Sequence, residues 1–304
     1  MRHTGWKPFW AALGAALLVL LPLVGGTVLL SRQRLRSQLR QAARSEQGIP
    51  VQLPKATDQL TVLVCTAGEQ PGFVLVYLNA SQNCIHLLAL PGETEVSFAQ
   101  QPAALQQCYA SAGPARCREA LAEALPLPEN TRYLAFSAAV LEQLADRYGP
   151  VRVGFSGAFP AAELARAGLS TGVEGLSAGD AHTLLTGLDA DGRFPAAHRA
   201  AARAAVWDAF FRQNLDLLPA NLPASLRKVS TSLLTDLTAL DLDTLERTLE
   251  FLANNDAAVQ ADVLPGSWDA KAGRYAVTED SRAALQTFFN VSPTEAQAES
   301  SSEP

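Results

Sequence analysis

Residues 60–90 read LTVLVCTAGEQPGFVLVYLNASQNCIHLLAL, and three apolar runs within this stretch decide the fold. LTVLVC (60–65), FVLVYLN (73–79) and CIHLLAL (84–90) are rich in branched and aromatic residues and have strand character. The polar turn-former NASQN joins the last two, which predicts a sheet containing a hairpin. Working outward, a helical stretch is expected from about Pro114 to Ala124, then a strand YLAFS at Tyr133, a helix AAVLEQLADRYG and a further strand VRVGF from Val151. Strand, helix, strand predicts an α/β sandwich.

The second half reads as mainly helical. AAHRAAARAAVWDAFFRQNL from about Ala196, SLRKVSTSLLTDL from Ser225 and DTLERTLEFLANN from Asp243 each carry an apolar stripe. Asp241 or Asp243 is the expected cap of the last, because a side-chain oxygen there accepts from an otherwise unpaired amide. After LPGS at Leu264, an edge strand is expected around Arg274–Val277, followed by a helix through DSRAALQTFF to about Phe289. There is no internal repeat.

Upstream, residues 9–30 read FWAALGAALLVLLPLVGGTVLL, an uncharged run long enough at helical rise to cross roughly 30 Å of hydrocarbon. It exceeds the apolar core of a cleaved signal peptide and no Ala-x-Ala-like site follows, so a retained transmembrane helix is expected. The chain then divides into a tail (1–8), this helix (9–30), a juxtamembrane stalk (31–58), one domain (59–290) and a disordered tail (291–304) rich in Ser, Glu and Pro. With 48% hydrophobic and 18% charged residues, the chain beyond the helix can bury one large core. A net charge of −6 and a pI near 5.3 exclude a general nucleic-acid binder. The arginines at 32, 34, 36, 40 and 44 are a local cluster of the kind that faces anionic lipid. By the positive-inside count they place the domain in the cytoplasm, although large domains are translocated whatever their charge.

Cys65, Cys84, Cys108 and Cys117 match no paired Cys-x-x-Cys zinc pattern. Cys65 with Cys84 and Cys108 with Cys117 is the simplest of three disulfide connectivities, and four small buried apolar residues is the alternative. Cys108 and Cys117 flank a Ser-Ala-Gly-Pro turn and are the pair expected to form a disulfide. No Gly-x-Ser-x-Gly, phosphate loop or dinucleotide fingerprint occurs. His182 and His198 lack a partner pattern and are expected to be structural.

The order of these segments resembles the LytR-CpsA-Psr family over roughly residues 59–289. The matching pieces are LTVLVCTAGEQPGFVLVYLN, CIHLLALPGETEV, YLAFSAAVLEQLADRYGPVRV, GLSAGDAHTLL and TDLTALDLDTLERTLEFLANN, with VLPG downstream. The resemblance implies an αβα sandwich, three-layer-like, behind one N-terminal transmembrane helix, with the domain on the extracytoplasmic side of the cell membrane. It also implies transfer of anionic glycopolymer from polyprenyl pyrophosphate to peptidoglycan.

The family's motif residues are mostly absent. Its Arg-Ser-Asp-Thr falls on Glu69, Gln70, Pro71 and Gly72, and its Pro-Arg-Asp-Thr on Pro91, Gly92, Glu93 and Thr94. Its Arg-x-Arg falls on Thr186 and Leu188, and its Arg-x-x-Arg-Gln-Gln on Arg199 or Arg203 without the glutamines. A pyrophosphate needs several fixed cations, so these losses predict a catalytically degenerate module that still binds polyprenyl phosphate lipid in the membrane, with peptidoglycan or wall-assembly proteins as partners. An active transferase with relocated cations is the alternative. Arg193, Arg199 and Arg203 are the expected phosphate ligands, against a solvated helix face. Glu93, Asp189 and Asp191 offer oxygen ligands for Mg2+, against plain loop acids.

Overall fold

The computed structural model describes residues 58–145, 147–155, 165, 172–186 and 196–290. The segment expected to cross the membrane, nearly all of the stalk and the tail from 291 lie outside the described residues. Among the described residues, no helix is long and apolar enough to cross a membrane.

The first three strands are β1 (Gln59–Thr66), β2 (Gly72–Asn79) and β3 (Cys84–Leu90), followed by the ribbon β4 (Glu95–Phe98) and β5 (Gln101–Ala104) and the helix α1 (Leu105–Ala124). Next come β6 (Arg132–Phe136), α2 (Ala138–Ala145), β7 (Val151–Gly154), β8 (Val173–Leu176) and α3 (Ala178–Thr186). Then follow α4 (Ala196–Asn214), α5 (Leu218–Val229), β9 (Leu234–Thr235) and α6 (Ala239–Asn254). The last are β10 (Ala258–Val263), the pair β11 (Ser267–Asp269) and β12 (Arg274–Ala276), and α7 (Glu279–Asn290).

The central sheet has the order β10-β3-β2-β1-β6-β9. Its first three strands form an antiparallel meander in which Leu63 lies opposite Leu75 and Leu75 opposite Leu88. β6 runs parallel to β1, β10 runs parallel to β3, and the short β9 closes the other edge antiparallel to β6. Every residue of β2 and β3 is buried. Successive side chains point to opposite faces, so Val62, Val64, Val74 and Val76 enter one core while Leu63, Cys65, Phe73 and Leu75 enter the other. Covering both faces requires a continuous apolar run rather than an alternating one, and the sequence has that run.

Helices α2, α4, α5 and α6 cover the first face through Val140, Phe211, Leu226 and Leu249. The second is covered by α1 and α7 through Leu105, Leu121, Leu285 and Phe288. The result is a mixed α/β sandwich with the sheet in the middle. α7 is tied down by a polar contact as well: His86 on β3 meets the Phe288 carbonyl through Nδ1 at 3.0 Å, and Tyr77 packs against Phe288 and Phe289.

Three local expectations change. The helix expected from Pro114 begins at Leu105 and kinks at Gly113, whose φ of 75° suits glycine, with Pro114 just beyond. The stretch from Ser225 is not one helix: α5 ends at Val229, and Leu234 and Thr235 leave it to pair with Ala135 and Leu134. The cap of α6 is Thr238 rather than either aspartate. Its hydroxyl accepts from the Asp241 amide at 3.2 Å while Asp241 accepts from the Thr238 amide at 2.8 Å, a reciprocal capping box. Asp241 also pairs with Arg132 at 3.2 Å, and Asp236 accepts from the Tyr133 amide at 2.7 Å, which fastens this helix start to β6.

Candidate functional site

Strands β1, β3, β6 and β10 share one direction, so Thr66, Leu90, Phe136 and Val263 end at the same edge of the sheet, where β2 begins at Gly72. Open α/β sheets place ligands in the crevice outside such carboxyl ends. Two loops and two helices build this edge. The loop after β1 is fastened to the last turn of α3: His182 meets the Ala67 carbonyl at 3.0 Å, and the Gln70 amide donates to the Thr186 carbonyl at 3.0 Å. His182 therefore holds a backbone in place. The loop after β3 is a tight turn in which the Thr94 hydroxyl donates to the Pro91 carbonyl at 2.7 Å.

The cations come from α4. Ala200 and Ala204 pack against Ala89 of β3, and these small side chains let the helix lie close to the sheet. Arg199 and Arg203, four residues apart, share a face of that helix and are carried into the interior, at 6% and 2% exposure. Arg199 forms an ion pair with Glu93. Arg203 donates to the Gln70 carbonyl at 3.1 Å, its Nε is buried without a partner, and among the described residues it has no carboxylate. Burial first, and the like charge of Arg199 second, press the Arg203 guanidinium down to about 9, which leaves it charged at neutral pH.

Beneath this edge, on the face covered by α2 and α4 to α6, lies an apolar cavity of about 120 Å³, roughly ten times what one water needs. It is walled by Val62 and Val76 of the sheet and by Leu185, Trp207 and Phe210. Its β1 wall runs from Leu60 to Val64, about 13 Å at strand rise. Leu185 links the two features: its carbonyl lies against Gly72, the glycine that the Arg203 side chain also approaches. The Tyr148 hydroxyl is buried in the cavity wall with no partner among the described residues, and burial raises it to about 12.

The sequence matches no family model and no curated protein. Solved structures are similar. A LytR-Csp2A-Psr enzyme from Actinomyces oris superposes with a TM-score of 0.55 at 21% identity, covering 78% of this chain and 93% of that one. B. subtilis TagT gives 0.57 at 15% identity, over 80% and 95%. TagT bound to LIIa-WTA gives 0.59 at 14%, over 81% and 95%. The chain has the LytR-CpsA-Psr fold.

In that fold two glycines at the aligned motifs, Gly92 at an arginine position and Gly72 at a threonine position, are crowded by this chain's own packing. A Cβ on Gly92 would meet Gln106 Oε1 at 2.8 Å, and one on Gly72 would meet the Leu185 carbonyl at 2.5 Å. Glu69 is exposed, and Thr186 is buried with its hydroxyl donating to the His182 carbonyl. Of the expected phosphate ligands, the structure brings Arg199 and Arg203 together, while Arg193 lies outside the described residues. Of the expected metal ligands, Glu93 is engaged by Arg199, and Asp189 and Asp191 lie outside the described residues. No cluster of three metal-binding side chains occurs among the described residues.

The cysteines depart from expectation in one respect. Cys108 and Cys117 are free buried thiols rather than a disulfide. The kink at Gly113 folds α1 so that the two thiols are in hydrogen-bond contact, and burial raises both above the ordinary thiol value. They pack with Cys65 as small apolar groups in the second core.

Tyr148 was not singled out by sequence. It closes AAVLEQLADRYG, where a tyrosine reads as ordinary helix-end core. The Glu93–Arg199 pair was missed as a pair because each was assigned a different ligand.

Proposed function

We propose that this chain is a membrane-anchored, LytR-CpsA-Psr-like cell-envelope protein whose extracytoplasmic domain binds polyprenyl phosphate and transfers no glycopolymer. One observation carries the reading: Arg203, a buried cation with an unpartnered Nε and, among the described residues, no carboxylate, lies against Gly72, which in turn meets the carbonyl of Leu185 in the wall of an apolar cavity. A buried unpaired charge costs several kcal/mol, an investment that an anionic head group offsets. An isoprenoid tail suits the apolar wall, gaining roughly 0.8 kcal/mol for each buried methylene-sized group.

Loss of transfer follows from the same residues. Phosphoryl transfer depends on fixed cations gathered around oxygens that gain charge in the transition state. Here Glu69, Gly92 and Thr186 stand where the resemblance places arginines, and Arg199 is neutralised by Glu93. One guanidinium can hold a phosphate, whereas stabilising both an attacking and a leaving oxygen needs several. Peptidoglycan or wall-assembly proteins are the partners this role implies.

Organic extraction of the full chain purified from its own membrane, followed by mass spectrometry, tests the binding half. Polyprenyl phosphate should co-purify with the protein and be depleted from an Arg203→Met variant. Its absence from the unmodified protein contradicts the proposal.

A further inference from the structure

Of two buried guanidinium groups at the sheet edge, Arg199 holds the Glu93 carboxylate and Arg203 has none among the described residues, and we infer that Glu93 restricts the head-group site to a lipid carrying a single phosphate. The inference rests on the polyprenyl-phosphate reading and concerns which phosphorylated lipid that site accepts. Arg199 and Arg203 lie four residues apart on α4, with Cβ atoms about 5–6 Å from each other in that spacing. Glu93, only 12% exposed in its side chain, sits on Arg199 in an ion pair. Arg203 has the Gln70 carbonyl and, among the described residues, no acid. Within this group of three side chains, the net charge is one positive.

A terminal phosphate placed on Arg203 matches that charge and can satisfy the buried Nε. A second phosphate has no such partner. Held next to the first on a helix face where Arg199 is the neighbouring cation, it meets the Glu93 carboxylate already there. Two like charges held side by side in a partly covered site repel, because little water screens them. Glu93 is thus a built-in counter-ion that makes Arg199 unavailable to a diphosphate.

The turn that presents Glu93 is rigid, so the carboxylate does not swing away cheaply. Thr94 bonds the Pro91 carbonyl through both its hydroxyl and its amide, at 2.7 and 3.0 Å. The Glu93 carbonyl accepts from the Tyr275 amide at 2.9 Å, and the Gly92 carbonyl accepts from the Gln106 amide at 2.8 Å.

The experiment is a set of titrations on the full chain in lipid nanodiscs with farnesyl phosphate, farnesyl diphosphate and farnesol. The unmodified protein should prefer the monophosphate to the diphosphate by about tenfold or more, given that each decade corresponds to about 1.4 kcal/mol. Glu93→Gln, nearly the same shape, should tighten the diphosphate by about tenfold and remove the preference. A Glu93→Gln/Arg199→Gln double variant leaves the net charge of the group unchanged and no unpaired arginine at 199, so it should keep the monophosphate preference even if the single variant folds poorly. Phosphates that outbind farnesol with the same mono-to-diphosphate ratio in the unmodified protein and Glu93→Gln overturn this inference alone. So does a double variant that loses the preference. Neither phosphate outbinding farnesol overturns the head-group reading and this inference with it.

Discussion

Replacing Arg203 with methionine, a side chain of similar length and no charge, separates binding from stability. Most arginines at 2% exposure are held by a carboxylate, and their loss costs the fold because the partner is left charged and buried. Arg203 has only the Gln70 carbonyl. Removing it forfeits one charged hydrogen bond, about 1.5–3 kcal/mol, and relieves an unpaired buried cation, which costs several kcal/mol to keep. The two nearly cancel, so the variant should be as stable as the parent or more so, by up to about 2 kcal/mol. For a domain of this size that is a Tm change between zero and about +8 °C, at roughly 2–4 °C per kcal/mol. Phosphorylated-lipid affinity should fall by about ten- to a hundredfold, the same charged bond expressed at 1.4 kcal/mol per decade, while farnesol binding stays unchanged. Differential scanning fluorimetry with and without lipid reads both quantities. A variant destabilised by more than about 2 kcal/mol would show that Arg203 is a structural strut, and the account of an ion site would be refuted.

The four cysteines should react with a small disulfide reagent only after denaturation, releasing four thiols per chain, since burial raises Cys65 and Cys117 and depletes the thiolate that reacts; fewer than four after denaturation would contradict free thiols. Thr238→Ala should cost about 1 kcal/mol by removing the cap of α6, read by chemical denaturation. Burial pushes the Asp241 carboxyl up, but the Thr238 bonds and Arg132 together hold it below the ordinary value, so its contribution is present above the unfolded pKa of about 3.9 and is lost as pH falls through the lower folded value. Asp241→Asn should therefore flatten the acid limb of the stability curve below about pH 4, and an unchanged limb would contradict the capping box. A membrane-impermeant thiol label on intact cells should modify an engineered cysteine between Ser300 and Ser302; labelling only after lysis would place the domain inside.

The sheet was legible because burial on both faces leaves an unmistakable trace: the run FVLVYL (73–78) shows no alternation of polar and apolar positions to confuse with a helix. The bundle over the first face was legible from its apolar stripes. The failures lie where local and long-range demands compete. Leu234 and Thr235 follow a helical pattern, yet the open edge of β6 recruits them as a strand. The first half of α1, LQQCYASAG, mixes polar, small and turn-forming residues, and only packing of Leu105 and Cys108 into the core makes it helical. At the site, Arg199 and Arg203 were visible as candidates, but their difference was not. It depends on Glu93, which arrives from the end of β3 and reaches Arg199, whereas no described acid pairs with Arg203. Sequence spacing cannot report which of two arginines a distant carboxylate reaches.

A transfer assay tests the central claim most directly. The full chain in nanodiscs is mixed with lipid-linked glycopolymer, peptidoglycan acceptor and Mg2+, beside a relative of the same fold that retains the arginine motifs, and polymer bound to peptidoglycan is measured. The account predicts turnover by the relative and none above background by this chain, although both retain phosphorylated lipid. Transfer by this chain at a rate comparable to the relative's would contradict it, and would mean that Arg199 and Arg203 suffice as a catalytic clamp.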